Sequence, residues 1–367
     1  MYIQTTTAPS LTDTSRNNRI PWIDWFRAVM IFAIAWGHAL CAEPTTFSAV
    51  NRYLYSFHVP AFFFISGYTF HSGTGFRQYA VKKTRTLMIP YFVFSAVSIL
   101  IFLFLGSVAS AGLGVAVTST ELLPNILGML YASGATGYMK WNLPLWFLPC
   151  MFASSLLFYW LRKVIDAAGK HEKENLAFAG LLVAALLVSF LNYRYFHITK
   201  LPFGLETSVY MLPFFIAGSW MKAQSKPESA DKFKLCFLGG LLLCAGAAVA
   251  LSNPGRVDYV SSWYSNLVLF YLSAFLSVFG YILLCRQLPL CRLGYVGRNS
   301  LAILVMHKFP IVFMQLFLIG YMGKNPFLGI AIALAMAVIA CALSLLAGEI
   351  IGRLMPFALG RQRKKAQ

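Results

Sequence analysis

The chain has 367 residues, of which 59% are hydrophobic and 11% are charged, and its mean hydropathy is +0.67. Soluble domains carry about a quarter charged residues, so this composition excludes a soluble fold. The net charge of +18 does not indicate nucleic-acid binding, because the basic residues lie in short strips between apolar runs and form neither a contiguous basic face nor a recognition motif.

A helix needs about 20 mostly apolar residues to cross a bilayer, and the sequence offers ten such segments. They lie near 21–41, 52–71, 88–110, 144–162, 175–192, 206–222, 233–252, 262–285, 297–320 and 327–351. The predicted fold class is therefore all-α, a polytopic membrane protein with about ten transmembrane helices. We expect one membrane domain at 20–352, between a polar N-terminal tail at 1–19 and a basic C-terminal tail at 353–367.

The basic residues are divided unequally between the two faces of this predicted bundle. Of the 30 Lys and Arg residues, 22 fall on the face that carries both tails and 7 on the other, while Arg27 lies within the first span. Cytoplasmic loops carry the excess of Lys and Arg, so both termini are predicted to be cytoplasmic. The longest outer connection, about 111–143, can fold back on the membrane surface.

Three ionisable residues lie in the first predicted span: Asp24, Arg27 and His38. Such residues are costly inside a membrane and indicate a functional site. Eleven residues separate Arg27 from His38, which on a helix is three turns plus about 20° and a rise of about 16 Å. Asp24 lies about 60° from Arg27, so all three share one interior face. The alternative, in which they are interface anchors and a packing histidine, gives no reason for this alignment.

The second predicted span contains His58 in its outer half, near the expected depth of His38. Pro60 frees a backbone carbonyl and can kink the helix, while Ser66 and Gly67 let a neighbouring helix approach closely. The alternative interpretation is a packing motif with one hydrogen-bonded histidine.

Five motifs, in order along most of the chain, resemble those of the acyltransferase 3 family, the bacterial membrane O-acyltransferases that modify surface glycans. The segment from Ile23-Asp24-Trp25-Phe26-Arg27 to His38 resembles the opening motif, including its Arg-to-His spacing. The other four are Phe57-His58-Val59-Pro60 with Phe63-Phe64-Ile65-Ser66-Gly67, the strip of Lys83 and Arg85 before Ile89-Pro90-Tyr91, Leu145-Trp146-Phe147-Leu148, and Gly297-Arg298-Asn299-Ser300 with His307. Single strings of this kind recur by chance, but five in order are specific.

The resemblance implies a multi-pass enzyme of the bacterial cytoplasmic (inner) membrane, with no bound cofactor or metal. The expected donor is an acyl-CoA; acetyl-CoA is favoured, and succinyl or longer groups stay open. The expected acceptor is a hydroxyl of a cell-envelope glycan or lipid-linked saccharide, and the remaining partner is the lipid bilayer. Some relatives carry a soluble hydrolase-like domain after the last span, whereas here we expect the bundle to act alone. A proton-coupled transporter is the alternative function, because intramembrane Arg and His also suit such a carrier.

Donor binding is assigned to basic side chains on the cytoplasmic side. Guanidinium and ammonium groups bind phosphate oxygens, so Arg27 is predicted to hold the CoA phosphates. The residues expected beside it are Lys82, Lys83 and Arg85. Asp24 is expected to pair with Arg27, because a buried charge needs a partner.

The chemistry is assigned to the outer half of the bundle. His38 is the predicted general base that activates the acceptor hydroxyl, and an acyl-histidine intermediate stays open. Arg27 completes the catalytic set through the donor, and His58 is predicted to orient His38 or to contact the acceptor. Trp146 is predicted to stack on a sugar ring, and Glu206 either binds acceptor hydroxyls or anchors the rim.

The late motif is assigned a supporting role. Asn299 and Ser300 are predicted to contact the donor. His307 is expected to hydrogen-bond with the region of Asn299 and Ser300, with contact to the donor channel as the second possibility.

Overall fold

The computed structural model describes residues 19–40, 48–113, 122–136, 140–169, 172–224, 231–288 and 293–362. Residues 1–18 of the N-terminal tail, the C-terminal tail from residue 363, and parts of the 111–143 connection lie outside these ranges. Within them the chain is helical, and its only extended pairing is an isolated bridge between Asp258 and Trp263. The predicted all-α class is confirmed for the described residues.

The described part of the chain contains fourteen α-helices. In chain order they are α1 Pro21–Leu40, α2 Ser48–Tyr68, α3 Phe76–Lys83, α4 Ile89–Leu113, α5 Leu122–Tyr131, α6 Phe147–Ala168, α7 Glu172–Leu191, α8 Leu205–Ala223, α9 Lys232–Ser252, α10 Leu267–Gln287, α11 Gly294–Arg298, α12 Ser300–Met306, α13 Lys308–Met322 and α14 Pro326–Leu354. A π-helical stretch, Thr84–Met88, joins α3 to α4, and a tight helical segment, Lys140–Trp146, leads into α6.

Helices occupy all ten segments predicted to span the membrane, but fewer of them have the length and apolar composition of a span. Seven helices of the described chain could cross a membrane by these criteria. The number rises to eight if α12 and α13, which meet at a bend of 48°, form one broken span. The structure thus supports a multi-pass membrane protein with seven or eight candidate spans, and the count of ten stays a prediction.

Two of the ten helices, α2 and α8, are too polar on average to count among these candidate spans, and several of their polar side chains are buried. In α2 these include Asn51 and Ser56, and in α8 they include Thr207 and Ser208; each is at most 3% exposed. Polar groups in a membrane protein face the bundle interior, where other protein groups can satisfy them. By contrast, only 17% of the most apolar stretch of α7, and the same share in α9, is buried, as expected of helices at the bundle periphery.

The two polar helices α2 and α8 cross at a pair of glycines. A Cβ atom on Gly67 would lie 1.9 Å from the backbone oxygen of Phe215, and one on Gly218 would lie 1.9 Å from that of Phe64. Each glycine therefore sits directly on the backbone of the other helix. The close approach expected at Gly67, next to Ser66, is confirmed, and it fixes α2 in the middle of the bundle.

The first helix, α1, is also central. It packs against α2, α10, α11 and α14, and eleven of its residues are buried. Gly297 makes the contact with α11 possible, because a Cβ atom there would lie 1.7 Å from the backbone oxygen of Asp24. The residues at 297–300 are thus brought to the N-terminal end of α1.

Candidate active site

A cavity of about 250 Å³ lies beside the C-terminal end of α1, and we call it the His38 cavity. Its lining comes from α1, α2, α6, α12, α13 and two connecting segments: Ile34, His38, Tyr55, His58, Val59, Leu143, Pro144, Trp146, Phe147, Arg256, Asp258, Tyr259, Val260, Leu304 and Lys308. The sequence motifs around His38, His58 and Trp146 therefore meet at one place, although they are up to about a hundred residues apart.

Three histidines lie in or against this cavity. His38 is half-buried, and its ring centre is 5.3 Å from that of His307. His58 is 3% exposed, and its Nδ1 donates to the backbone oxygen of Leu54 at 2.5 Å. That bond leaves Nε2 of His58 as the acceptor of the neutral ring. The structure thus supplies His38 with two neighbouring imidazoles.

Aromatic rings form one wall of the His38 cavity. Trp146 stacks on Tyr259, with ring centres 6.3 Å apart and an interplanar angle of 20°. Asn142 fixes the segment before Trp146 by donating to the backbone oxygen of Val305 at 3.0 Å. The indole of Trp146 lines the cavity and is supported on one face by Tyr259, which suits the stacking role predicted for it.

The loop between α9 and α10 closes the cavity, and Tyr259 holds this loop to α2. Its hydroxyl donates to the backbone oxygen of Tyr55 at 2.5 Å, and its own carbonyl accepts from Thr207 at 3.0 Å. Burial raises the pKa of Tyr259 well above its ordinary value, so the phenol stays protonated and keeps donating.

The same loop and the start of α13 add charged side chains to the His38 cavity that the sequence analysis did not predict. The guanidinium of Arg256 lies 4.4 Å from the ring centre of Tyr55, and Lys308 lines the cavity from α13. The carboxylate of Asp258 accepts from Val260 N at 3.1 Å and from Ser261 Oγ at 2.5 Å within its own loop. No local pattern could have placed this loop over His38, because the loop is held there by contacts with distant helices.

A second cavity, of about 450 Å³, lies at the N-terminal end of α1, and we call it the Arg27 cavity. It is lined by Arg19, Ile20, Ile23, Asp24, Arg27, Tyr68, Thr69, His71, Lys222 and Arg298. Four of these side chains are cationic, and one is a carboxylate. Such a site favours a ligand with several negative charges. Sequence reasoning predicted Arg27 here but assigned no donor role to Lys222, His71 or Arg298.

Asp24 pairs with a different residue from the one predicted. Its Oδ2 lies 3.5 Å from Nη1 of Arg298, whereas we expected an ion pair with Arg27. The reason is the tight contact at Gly297, which brings α11 and its arginine onto the first turn of α1. The Arg27 guanidinium lines the same cavity and forms no ion pair with Asp24 within the described structure, although the two charges are near enough to interact.

The basic strip predicted beside Arg27 is divided between two places. Lys83 is near enough to Arg27 for their charges to interact, and its ammonium group lies 5.5 Å from the ring centre of Tyr79. Lys82 and Arg85 instead line a separate surface cavity of about 800 Å³. The structure thus brings one of the three predicted neighbours to Arg27.

The late motif makes other contacts than those predicted. The side-chain amide of Asn299 donates to Tyr295 O at 2.9 Å, and its oxygen accepts from Arg361 at 2.6 Å. Neither Asn299 nor Ser300, the first residue of α12, is among the residues lining the Arg27 cavity. The predicted hydrogen bond between His307 and this region is wrong, because two helical turns separate them and Nδ1 of His307 bonds Ile303 O at 2.7 Å.

Glu206 is placed apart from the His38 cavity. It is 3% exposed, and its carboxylate accepts from the backbone nitrogens of Lys200 at 3.2 Å and Leu201 at 3.1 Å. These bonds fix the turn that precedes α8. Of the two roles predicted for Glu206, anchoring the rim agrees with this placement better than binding acceptor hydroxyls does.

A family model described as an acyltransferase domain, of the acyltransferase 3 type, matches residues 20–347. The chain belongs to the acyltransferase 3 family. It is accordingly a membrane acyltransferase, as the motifs predicted. No curated protein and no solved structure matches the chain. The broken helix at α12 and α13 is a feature that transporters also use, but membership of this family favours the enzyme over the transporter.

Proposed function

We propose that this acyltransferase moves an acyl group from a cytoplasmic acyl-CoA to a hydroxyl of a cell-envelope glycan or lipid-linked saccharide. Acetyl-CoA is the favoured donor. In this proposal the protein lies in the bacterial inner membrane, crosses it ten times and keeps both termini in the cytoplasm. The excess of basic residues on the face that carries both tails supports this orientation.

The observation that carries the proposal is the pair of cavities on one helix. The Arg27 cavity is polycationic, and the His38 cavity combines imidazoles with an aromatic wall. Arg27 and His38 share a face of α1 and are about 16 Å apart along it. A phosphorylated donor with an extended thioester arm has its anionic and reactive groups at opposite ends, so it matches this arrangement.

In the proposed reaction His38 takes the proton of the acceptor hydroxyl while the hydroxyl oxygen attacks the thioester carbonyl. The C–S bond breaks, an ester bond forms, and the CoA thiolate leaves with the proton that His38 returns. His58 and Trp146 position the acceptor within the cavity. Direct transfer needs one such attack, whereas an acyl-histidine route would need two.

The donor arm must pass a closed stretch of α1. Among the described residues none lines both cavities. Ile31, which lies on the face between Arg27 and the His38 cavity, is 1% exposed, and Ile34 borders that cavity. We infer that donor binding opens this face by moving the side chains packed against it.

The direct test is donor turnover by the purified protein in lipid vesicles, with acetyl-CoA and succinyl-CoA compared. The proposal predicts release of CoA thiol that depends on added envelope saccharide, and an acceptor whose mass increases by one acyl group. Mass comparison of envelope glycans from cells with and without the gene then identifies the acceptor. Absence of acyl transfer to any envelope saccharide would contradict the proposal.

A further inference from the structure

A buried ring nitrogen without a partner lies next to the candidate base. His307 is fully buried and sits at the 48° bend between α12 and α13. Its Nδ1 lies 2.7 Å from the backbone oxygen of Ile303, so Nδ1 carries the proton and Nε2 presents a lone pair. Nε2 has no hydrogen-bond partner in the part of the chain that the structure describes. A buried polar atom without a hydrogen-bond partner destabilises the fold, so its presence calls for a functional explanation.

The position of His307 matches the needs of His38. The two ring centres are 5.3 Å apart. An imidazole nitrogen lies about 1.1 Å from its ring centre, so nitrogens that faced each other directly at this separation would be about 3.1 Å apart, within hydrogen-bond length. Nε2 of His307 makes no hydrogen bond to His38 in the described structure, so the bond requires the two rings to turn until their nitrogens face each other.

Two further contacts keep this pair together. The side-chain amide of Gln315 on α13 donates to the backbone oxygens of His38 and Ala39, each at 3.3 Å. These carbonyls belong to the last turn of α1, which lacks helical donors for them. Gln315 therefore ties α13, the helix that begins beside His307, to the end of α1 that carries His38.

We propose that His307 is a positioning residue for His38, accepting a hydrogen bond at Nε2 from one ring nitrogen of His38 and thereby directing the other ring nitrogen into the cavity. The inference rests on the proposed function, in which His38 is the base. It adds to that function the partner that sets the tautomer and orientation of His38.

The proton balance of the step is simple. Neutral His38 gives its N–H to His307 Nε2 as a hydrogen bond and keeps its other lone pair toward the acceptor hydroxyl. When the hydroxyl proton moves to His38, the imidazolium keeps the same bond to His307, and that proton later leaves with the CoA thiolate. His307 neither gains nor loses a proton, because the Ile303 carbonyl holds Nδ1–H throughout. His307 thus shares with the carboxylate of a catalytic triad the setting of tautomer and orientation, but it brings no negative charge.

Other polar groups face the same cavity and share in its electrostatics. They are Tyr55 and His58 on α2, Arg256, Asp258 and Tyr259 in the loop before α10, and Lys308 on α13. Nδ1 of His58 is likewise held by a helix carbonyl, that of Leu54.

Three substitutions separate a positioning role from a structural one. His307→Gln can place its Oε1 near the position of Nε2 and so keeps an acceptor for His38. His307→Asn can donate to Ile303 O as Nδ1 does, but it has no acceptor that reaches His38. His307→Leu keeps neither bond. Donor turnover with saturating saccharide is measured for each variant, with kcat and KM reported separately and folding checked by size-exclusion chromatography and thermal unfolding.

The proposal predicts that His307→Asn and His307→Leu lower kcat by about 10²-fold with little change in KM, while His307→Gln keeps activity within about 10-fold of the unmodified protein. If His307→Asn is active and His307→Gln is not, the bond to Ile303 is what matters and the positioning role is overturned. Equal activity of all three would also overturn it. Absence of turnover in the unmodified protein would instead contradict the proposed function.

Discussion

Replacing Gly67 with alanine tests whether the α2–α8 crossing holds the His38 cavity in shape. The added Cβ would lie 1.9 Å from the backbone oxygen of Phe215, whereas ordinary contact begins near 3.4 Å. The two helices must therefore separate locally by about 1.5 Å. A backbone oxygen cannot rotate away as a side chain can, so the strain is not relieved by a change of rotamer.

Overpacking of this kind costs about 1–3 kcal/mol, and the fixed backbone places Gly67→Ala at the upper end. The higher helix propensity of alanine relative to glycine offsets about 1 kcal/mol of this cost. The net expectation is a destabilisation of about 2 kcal/mol. Acyl transfer should also fall, since α2 carries His58 nine residues before Gly67.

The matched control is Gly180→Ala on α7, where nothing lies within 4 Å of the added Cβ. This variant should be stabilised by up to about 1 kcal/mol, so the two identical changes should differ by roughly 3 kcal/mol. Unfolding of the purified protein in detergent, followed by intrinsic fluorescence against denaturant, measures both. A Gly67→Ala protein as stable as the unmodified one would refute the proposed role of the crossing.

Three further predictions concern the two cavities and the topology. Arg27→Ala should weaken CoA binding about 10- to 100-fold, because each charge-assisted bond contributes about 1.5–3 kcal/mol. The control Arg353→Ala, which removes a side chain that is 77% exposed, should leave CoA binding unchanged. Equal affinities of the two variants for CoA would contradict the role of Arg27 in the donor site. Trp146→Ala should raise the KM for the acceptor about fivefold, because stacking on the sugar ring is lost. The control Trp160→Ala, at a position that is 58% exposed, should leave this KM unchanged. An unchanged KM in Trp146→Ala would argue against stacking of the acceptor on Trp146. A reporter fused after Gln367 should give a cytoplasmic signal, and a periplasmic one would rule out an even number of spans with the tails inside.

The sequence was sufficient for those features that depend on local pattern. Hydropathy located all ten helical segments, and helix periodicity placed Arg27 and His38 on one face of α1. The small residue Gly67 indicated a close helix approach, which the structure contains. The membrane count was harder to predict, because α2 and α8 bury polar residues within the bundle and so lack the composition of lipid-facing helices.

The missing parts of the site depend on contacts between distant segments. Arg256 and Tyr259 reach the His38 cavity because their loop is tied to α2 and α8, and nothing in their local sequence shows this. Asp24 pairs with Arg298 because Gly297 allows α11 onto α1, and the Arg-to-Asp spacing within α1 could not predict it. His307 was assigned to nearby residues in the sequence, whereas the bend after α12 places it beside His38.

The central claim is that His38 is the base of an acyl-CoA-dependent transfer, and one comparison tests it most directly. His38→Ala and the control His197→Ala, at an exposed loop position, are each purified into lipid vesicles and supplied with labelled acetyl-CoA and envelope saccharide. We predict that His38→Ala lowers kcat by about 10²- to 10⁴-fold while His197→Ala transfers at the unmodified rate. Label incorporated by His38→Ala at the same rate as by His197→Ala would contradict the claim.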